Sequence, residues 1–252
     1  MVKLSACIEP LWSDLSHGER IRRLGALGLD AFEFWRWSNK DLAEIHAAMD
    51  ATGLPLAALS FEPGHCLLAR QALGALRQGL QETMAAAKTL SCSTLIVTVG
   101  DVLDDESFEA TRRRVVRHLR ALAPLAEDQG VTLALEPLNT LVDHHGYWLT
   151  RMAEAVDIVQ EVASPAVKVL MDLYHQQITE GNLIANLTAY SAEIAHFHAA
   201  GVPGRHELTT GELNYGAILR AIEATGYTGY VGLEYWPLLD VETSLRQTLA
   251  LR

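Results

Sequence analysis

Four residues able to hold a metal or move a proton recur at a regular beat in the second half of the chain. Glu136 interrupts LALEPL, Asp172 interrupts VLMDLYH, His198 closes HFH and Glu234 interrupts VGLEYW, with separations of 36, 26 and 36 residues. Each lies near the carboxyl end of a short β-rich run. Neighbouring strands of a parallel sheet run roughly 5 Å apart, so inward-pointing groups at one height on four successive strands converge. Three carboxylates gathered there repel one another and resist ionisation, and a divalent cation removes the difficulty. Three carboxylates and one imidazole form an oxygen-rich set suited to one Mn2+ or Mg2+ ion per chain. Co2+ is acceptable, and Zn2+, which prefers more His or any Cys, is a lesser fit. For any one of the four taken alone, the competing role is a loop cap or an ion pair with Lys or Arg. His196 shares a strand face with His198 one layer deeper, and reads as a core or supporting histidine rather than a ligand.

The elements that must position these groups alternate along the whole chain. Eight β-rich runs are KLSACIE (3–9), AFEFWRW (31–37), PLAALSF (55–61), TLIVTVG (94–100), TLALEPL (132–138), VKVLMDL (167–173), IAHFHAA (194–200) and YVGLEYW (230–236). Each is followed by a stretch whose apolar residues fall three and four apart, as helices packing one face on a sheet require. Ser16-His17-Gly18-Glu19 has capping-box spacing, and Gly28, Gly53, Gly130 and Gly226 stand where helices should stop. Eight strands and eight helices in strict alternation predict an α/β chain folded as a single (β/α)8 TIM barrel over 1–252, with its active site at the carboxyl ends of the strands. A doubly wound open sheet is the weaker alternative, because no G-x-G-x-x-G follows the first strand.

Composition narrows the partners. The 252 residues are 49% hydrophobic and 20% charged, enough to fill one large core. With 31 acidic residues against 20 Lys and Arg, the net charge of −11 argues against nucleic-acid binding. The run Arg112-Arg113-Arg114, with Arg117 and Arg120, reads as a solvated helix face rather than an anion site. Cys7, Cys66 and Cys92 follow no pairing pattern and suggest reduced thiols. The first residues lack the apolar core of a signal peptide, and no stretch approaches the ~18 apolar residues of a membrane span. A cytoplasmic protein without membrane contact is expected.

Several motifs together resemble one family. NT…GY after EPL, MDLYHQQITEGNL, HFHAAGVPGRHE…TGELNY and GYTGYVGLEYWP are similar to the hydroxypyruvate isomerase branch of the xylose isomerase-like superfamily of sugar phosphate isomerases and epimerases, most densely over 132–237. The resemblance implies a divalent metal held by Glu136, Asp172, His198 and Glu234, with Glu136 and Glu234 also acting as acid and base on opposite faces of the substrate. It implies substrate-orienting roles for His175 and Arg205, with Glu207 supporting Arg205. By analogy with such barrels a homodimer or homotetramer is expected. Two features depart from the pattern. Position 198 is usually glutamine in hydroxypyruvate isomerases and histidine in ketose 3-epimerases. The segment NTLVDHHGYWL is one residue longer than usual, with His144-His145 in place of a proline-containing turn. His144 and His145 read either as a relay or substrate contacts, with His145 the substrate-binding candidate and Asp143 an orienting partner, or as exposed loop residues.

The expected chemistry is isomerisation or epimerisation of a small ketose or hydroxy-keto acid through a metal-stabilised enediolate. A lyase on the same scaffold, 3-dehydroshikimate dehydratase-like or C-glycoside-cleaving, is the nearest alternative. A DNA-repair endonuclease-like protein and a non-enzymatic binding barrel stand further off. Trp12, Trp35, Trp37, Trp148 and Trp236 fall near strand ends, where they either wall a pocket or serve in packing.

Overall fold

The eight β-rich runs form eight strands: β1 (Lys3–Cys7), β2 (Ala31–Phe34), β3 (Leu56–Ser60), β4 (Thr94–Val97), β5 (Thr132–Leu135), β6 (Val167–Asp172), β7 (Ile194–Ala199) and β8 (Tyr230–Leu233). All neighbours pair in parallel, and β8 pairs with β1 through Lys3 and Tyr230 to Ala6 and Leu233, closing the barrel. Closure rules out the open doubly wound sheet. The structure is a computed structural model and describes residues 1–70 and 73–252.

The outer ring holds α1 (His17–Leu27), α2 (Leu42–Thr52), α3 (Leu73–Thr89), α4 (Phe108–Gln129), α5 (Met152–Val162), α6 (Leu173–Thr179), α7 (Leu183–Ala189), α8 (Tyr215–Ala224) and α9 (Val241–Leu249). Residues 71–72 of the expected third helix lie outside the described residues. Among the described residues there are nine α-helices, one more than expected. The extra one, α6, begins directly at the end of β6 because Asp172 Oδ1 accepts hydrogen bonds from the backbone N–H groups of Tyr174 and His175. Gly181, with φ +62°, then turns the chain into α7.

Strand ends differ from expectation in one informative way. β5 stops at Leu135 and β8 at Leu233, so Glu136 and Glu234 each stand one residue beyond their strand. Their own N–H groups still extend the ladder, to Val97 O and Ala199 O. After Glu136 comes Pro137, which has no N–H to continue it. The capping box is half formed: Glu19 N–H donates to Ser16 Oγ, but the Glu19 carboxylate faces Arg22 and Arg23.

The arginine run is also less uniform than expected. Arg113 and Arg117 are exposed, whereas Arg114 is buried, donates to Leu68 O at 2.8 Å and pairs with Glu106. Arg112 and Arg120 share Glu161. All three cysteines are free thiols. No described helix is long and apolar enough to cross a membrane.

The barrel interior is divided by chemistry. On one side Ala58, Ile96, Ala134 and Leu170, from β3 to β6, form a small apolar cluster inside the sheet. The other side is polar: Ser5 of β1, Glu33 of β2 and His196 of β7 join through the Glu33 carboxylate, beside Gly232 of β8. Leu170 is fully buried, so Leu170→Ala should destabilise the protein by about 2–5 kcal/mol. The same truncation at the exposed Leu141 should change stability by less than about 0.5 kcal/mol. Chemical denaturation of the two variants checks the contrast.

Candidate active site

At the carboxyl end of the barrel, Glu136, Asp172, His198 and Glu234 meet as the spacing of their strands requires. Each offers a ligand atom, and these atoms all lie within 4.8 Å of one another. All four residues are buried. His198 stands at the centre, its Nδ1 3.3 Å from Glu136 Oε1 and 3.4 Å from Glu234 Oε2. Neither contact has the alignment of a hydrogen bond, so Nδ1 is a buried polar atom without a hydrogen-bonding partner.

The charges divide unequally among the carboxyls. Burial pushes Glu136 above the ordinary carboxylate range; His198 offsets part of this, while Glu234 and Asp172 add repulsion. Asp172 is likewise raised by burial, against the pull of Arg205 and His198. For Glu234 burial acts the same way, yet Arg205, then His198 and the Trp35 indole, outweigh it and hold this carboxyl below its usual range. Burial opposes a charge on His198 too, but Glu234 and Glu33 carry its imidazole well above the usual histidine range.

Arg205 reaches the cluster from the turn after β7. Gly201 N–H donates to His206 O and Arg205 N–H to Gly201 O, folding the chain back over the barrel mouth. Arg205 sits in the left-handed region at φ +58°, which costs a residue with a Cβ roughly 1–2 kcal/mol. The guanidinium returns that cost in contacts: it pairs with Glu234, lies 3.4 Å from Asp172 Oδ2, and stacks over the rings of Tyr174 and Trp236.

His175 is placed by a relay that begins in the β5 loop. Asp143 Oδ2 accepts from Asn139 Nδ2 at 2.7 Å and from the Tyr174 hydroxyl at 2.9 Å. Asn139 Nδ2 in turn donates to His175 Nδ1 at 2.6 Å, so the His175 ring proton resides on Nε2. That nitrogen is buried, has no hydrogen-bonding partner, and faces Asp172 Oδ2 at 3.5 Å. Burial, with Arg205 nearby, holds His175 well below the usual histidine range.

Above the cluster opens a cavity of about 360 Å³, lined by Glu136, His198, Glu234, Arg205, His175, His144, Ser60, His65, Thr98, Trp35 and Trp236. Not every expected site residue reaches it. His145 is exposed and its Nδ1 is bonded to Thr140 O, while its neighbour His144 lines the cavity. Glu207 is fully buried but forms no ion pair with Arg205: its Oε1 accepts from Leu238 and Leu239 N–H and anchors the loop after β8. Asp143 orients Asn139 and Tyr174 rather than a loop histidine. Of the five tryptophans, Trp35 and Trp236 wall the cavity, 6.2 Å apart. Trp12 lines a different depression, Trp37 donates to Thr83 Oγ1, and Trp148 stacks on Phe108.

The chain matches a known family across nearly its whole length: residues 21–251 correspond to the xylose isomerase-like TIM barrel. The chain belongs to that family. Among xylose isomerase-like proteins, the 2-oxo-tetronate isomerase of Cupriavidus necator is 32% identical over 252 residues, covering 97% of this chain and 96% of that protein. The hydroxypyruvate isomerase of Escherichia coli K12 is 26% identical over 253 residues, covering 98% of each. The crystal structure of an AP endonuclease, family 2, from Brucella melitensis superposes with a TM-score of 0.94 at 28% identity, covering 100% of both chains.

One side chain in contact with the quartet was not anticipated from the sequence. Glu33 of β2 is buried beneath His198, its Oε1 3.3 Å from His198 Nε2 and its Oε2 2.9 Å from His196 Nε2. Trp35, two residues on, donates its indole N–H to Glu234 Oε1. The available signal was a charged residue between Phe32 and Phe34 in an otherwise apolar strand.

Arg205 supplies much of the positive charge facing Asp172 and Glu234. Arg205→Met should therefore lower the stability of the protein, measured in EDTA, by about 3–5 kcal/mol, through loss of one partner of a buried ion pair. Denaturation of wild type and variant side by side tests this.

Proposed function

We propose that this protein is a divalent-metal-dependent isomerase or epimerase of a small α-hydroxycarbonyl compound, a ketose or hydroxy-keto acid. The observation carrying the proposal is the buried quartet Glu136, Asp172, His198 and Glu234, whose donor atoms gather within 4.8 Å of one another, with Glu136, His198 and Glu234 lining the cavity. The donors fit a single divalent ion: three carboxylates supply the oxygens, and the otherwise unpartnered His198 Nδ1 supplies the nitrogen. Such an oxygen-rich set suits Mn2+ or Mg2+. The activities named for the Cupriavidus and Escherichia relatives, both isomerases of keto acids, support the same reaction class.

Glu136, Asp172, His198 and Glu234 would hold the ion, which would supply Lewis acidity toward negative charge on the substrate's oxygens. The protein's own groups supply the rest. Glu136 and Glu234 stand just past β5 and β8 and flank His198, an arrangement that supports acid and base roles on opposite faces of a substrate carbon. One takes the carbon-bound proton. The other returns a proton to the opposite face for epimerisation, or proton return to the neighbouring carbon gives isomerisation. The Nε2–H of His175 and the Arg205 guanidinium are donors positioned for substrate oxygens, and Trp35 and Trp236 exclude water. A cavity of about 360 Å³ fits a short-chain sugar or keto acid rather than an oligosaccharide.

The Brucella protein's name, an AP endonuclease, raises a nucleic-acid reading for this scaffold. The net charge of −11 weighs against it, since backbone binding draws on clustered cations. A DNA duplex should not be retained at low salt.

Glu234→Gln should lower turnover about 10²–10⁴-fold and reduce bound metal. Full activity at normal metal occupancy would overturn the assignment. In D2O the product should carry solvent deuterium without elimination, and elimination would point to a lyase instead.

A further inference from the structure

We infer that Glu33 is a positioning residue that fixes His198 for metal binding from beneath, and that β1, β7 and β8 are shaped to hold it there. The inference rests on the divalent site proposed above, and concerns a residue outside the quartet.

An imidazole can present only one nitrogen lone pair at a time, and the partner of the other nitrogen decides which one it is. His198 offers Nδ1 to the carboxylate cluster, while its Nε2 faces Glu33 Oε1 at 3.3 Å. Neither Nε2 nor Glu33 Oε1 has another hydrogen-bonding partner; an ion taken by Nδ1 would leave the ring proton on Nε2, where the Glu33 carboxylate would accept it and make Nδ1 a stronger donor. The second carboxylate oxygen is committed elsewhere: Glu33 Oε2 accepts from His196 Nε2 at 2.9 Å and from Ser5 Oγ at 3.2 Å. These contacts fix the rotation of the carboxylate and so the aim of Oε1. His196, deeper on the same strand, thereby gains a defined task as an anchor of Glu33.

The backbone opposite is built around the same group. Gly232 pairs in register with His198 across β7 and β8. A Cβ on Gly232 would fall inside the Glu33 carboxyl. Glycine at this strand position, which otherwise weakens a strand, creates the space the carboxylate occupies. Glu33 is 1% exposed, so a carboxylate is retained in the barrel interior only with these partners around it.

Glu33, His196 and His198 are themselves close enough to be read as a second metal site. The direct 2.9 Å contact between Glu33 and His196 favours a hydrogen-bonded anchor instead.

The test is the binding of Mn2+ to the whole protein by calorimetry, together with the ring 15N resonances of His198 in the Mg2+-loaded form. Wild type should bind one ion per chain, with His198 protonated at Nε2. Glu33→Gln should bind about 10–100-fold more weakly, and its His198 Nε2–H resonance in the Mg2+-loaded form should shift as the hydrogen bond to a carboxylate is lost. A merely structural defect would not move that one resonance while leaving the metal-loaded fold intact. Gly232→Ala keeps every ionisable group but crowds the Glu33 carboxyl, and should weaken binding in the same direction; it decides the matter if Glu33→Gln does not fold. Unchanged affinity and unchanged His198 resonances would overturn the role of Glu33 while leaving the metal proposal intact. Two ions bound to wild type, one of them lost in Glu33→Gln, would make Glu33 a ligand and overturn positioning. Absence of Mn2+ binding by wild type would overturn both readings.

Discussion

Three carboxyl groups buried within a few ångströms of one another set the terms for everything around them. Two unit charges at 4 Å interact by about 4 kcal/mol at an effective dielectric of 20, and oxygens of Glu136, Asp172 and Glu234 lie within 4.8 Å of one another. The structure answers with positive charge placed from two directions: His198 at the centre and Arg205 from above. A fold that merely needed stability would put leucine at these positions. Maintaining a repulsive cluster with dedicated compensation is the mark of a site selected for chemistry, at a cost met by the rest of the core.

That compensation explains the lopsided barrel interior. The β3–β6 side is filled by the small apolar cluster of Ala58, Ile96, Ala134 and Leu170, which neither bonds to the site nor competes with it. The β7–β8–β1–β2 side carries His196, Gly232, Ser5 and Glu33 in mutual contact. Support therefore reaches His198 through rigid strands, whereas Arg205 and His175 are aimed by a turn and by the first turn of α6. Strands and the residues just past them hold the candidate metal donors, and a turn and the start of α6 hold the groups that would meet substrate.

The quartet was legible because the β/α repeat places equivalent strand ends one unit apart, so chain separation reports spatial adjacency. Arg205 and His175 were legible through family resemblance. Glu33 was not, because Phe-Glu-Phe on a strand reads equally well as apolar-in and charge-out. Only barrel closure shows that both faces are interior, one lined by helices and the other by the site. The exchange of His145 for His144 has a different origin: adjacent residues in a tight loop point to opposite sides, and spacing carries no information about which one turns inward. Glu207 was misplaced because its partners, the N–H groups of Leu238 and Leu239, lie some thirty residues away in another loop. Short contacts within one motif are easier to anticipate than contacts between loops. Helix α6 was missed for a related reason, since Asp172 serves at once as a site carboxylate and as a helix cap.

The most consequential asymmetry lies between the two glutamates. Glu136 and Glu234 occupy equivalent positions one residue past their strands, and both are buried. By strand geometry alone they would be equal. They differ because Arg205 and the Trp35 indole address Glu234, while Glu136 has neither. Carboxyl groups whose environments push their proton affinities apart are suited to complementary acid and base roles. Here the separation originates outside the strands that carry the two residues, in the turn after β7 and in the residue just past β2. Replacing those peripheral contacts would redistribute the protons while leaving the strand framework of the metal donors in place. Under the proposed function, the means of tuning a proton transfer would thus stand apart from the means of holding an ion.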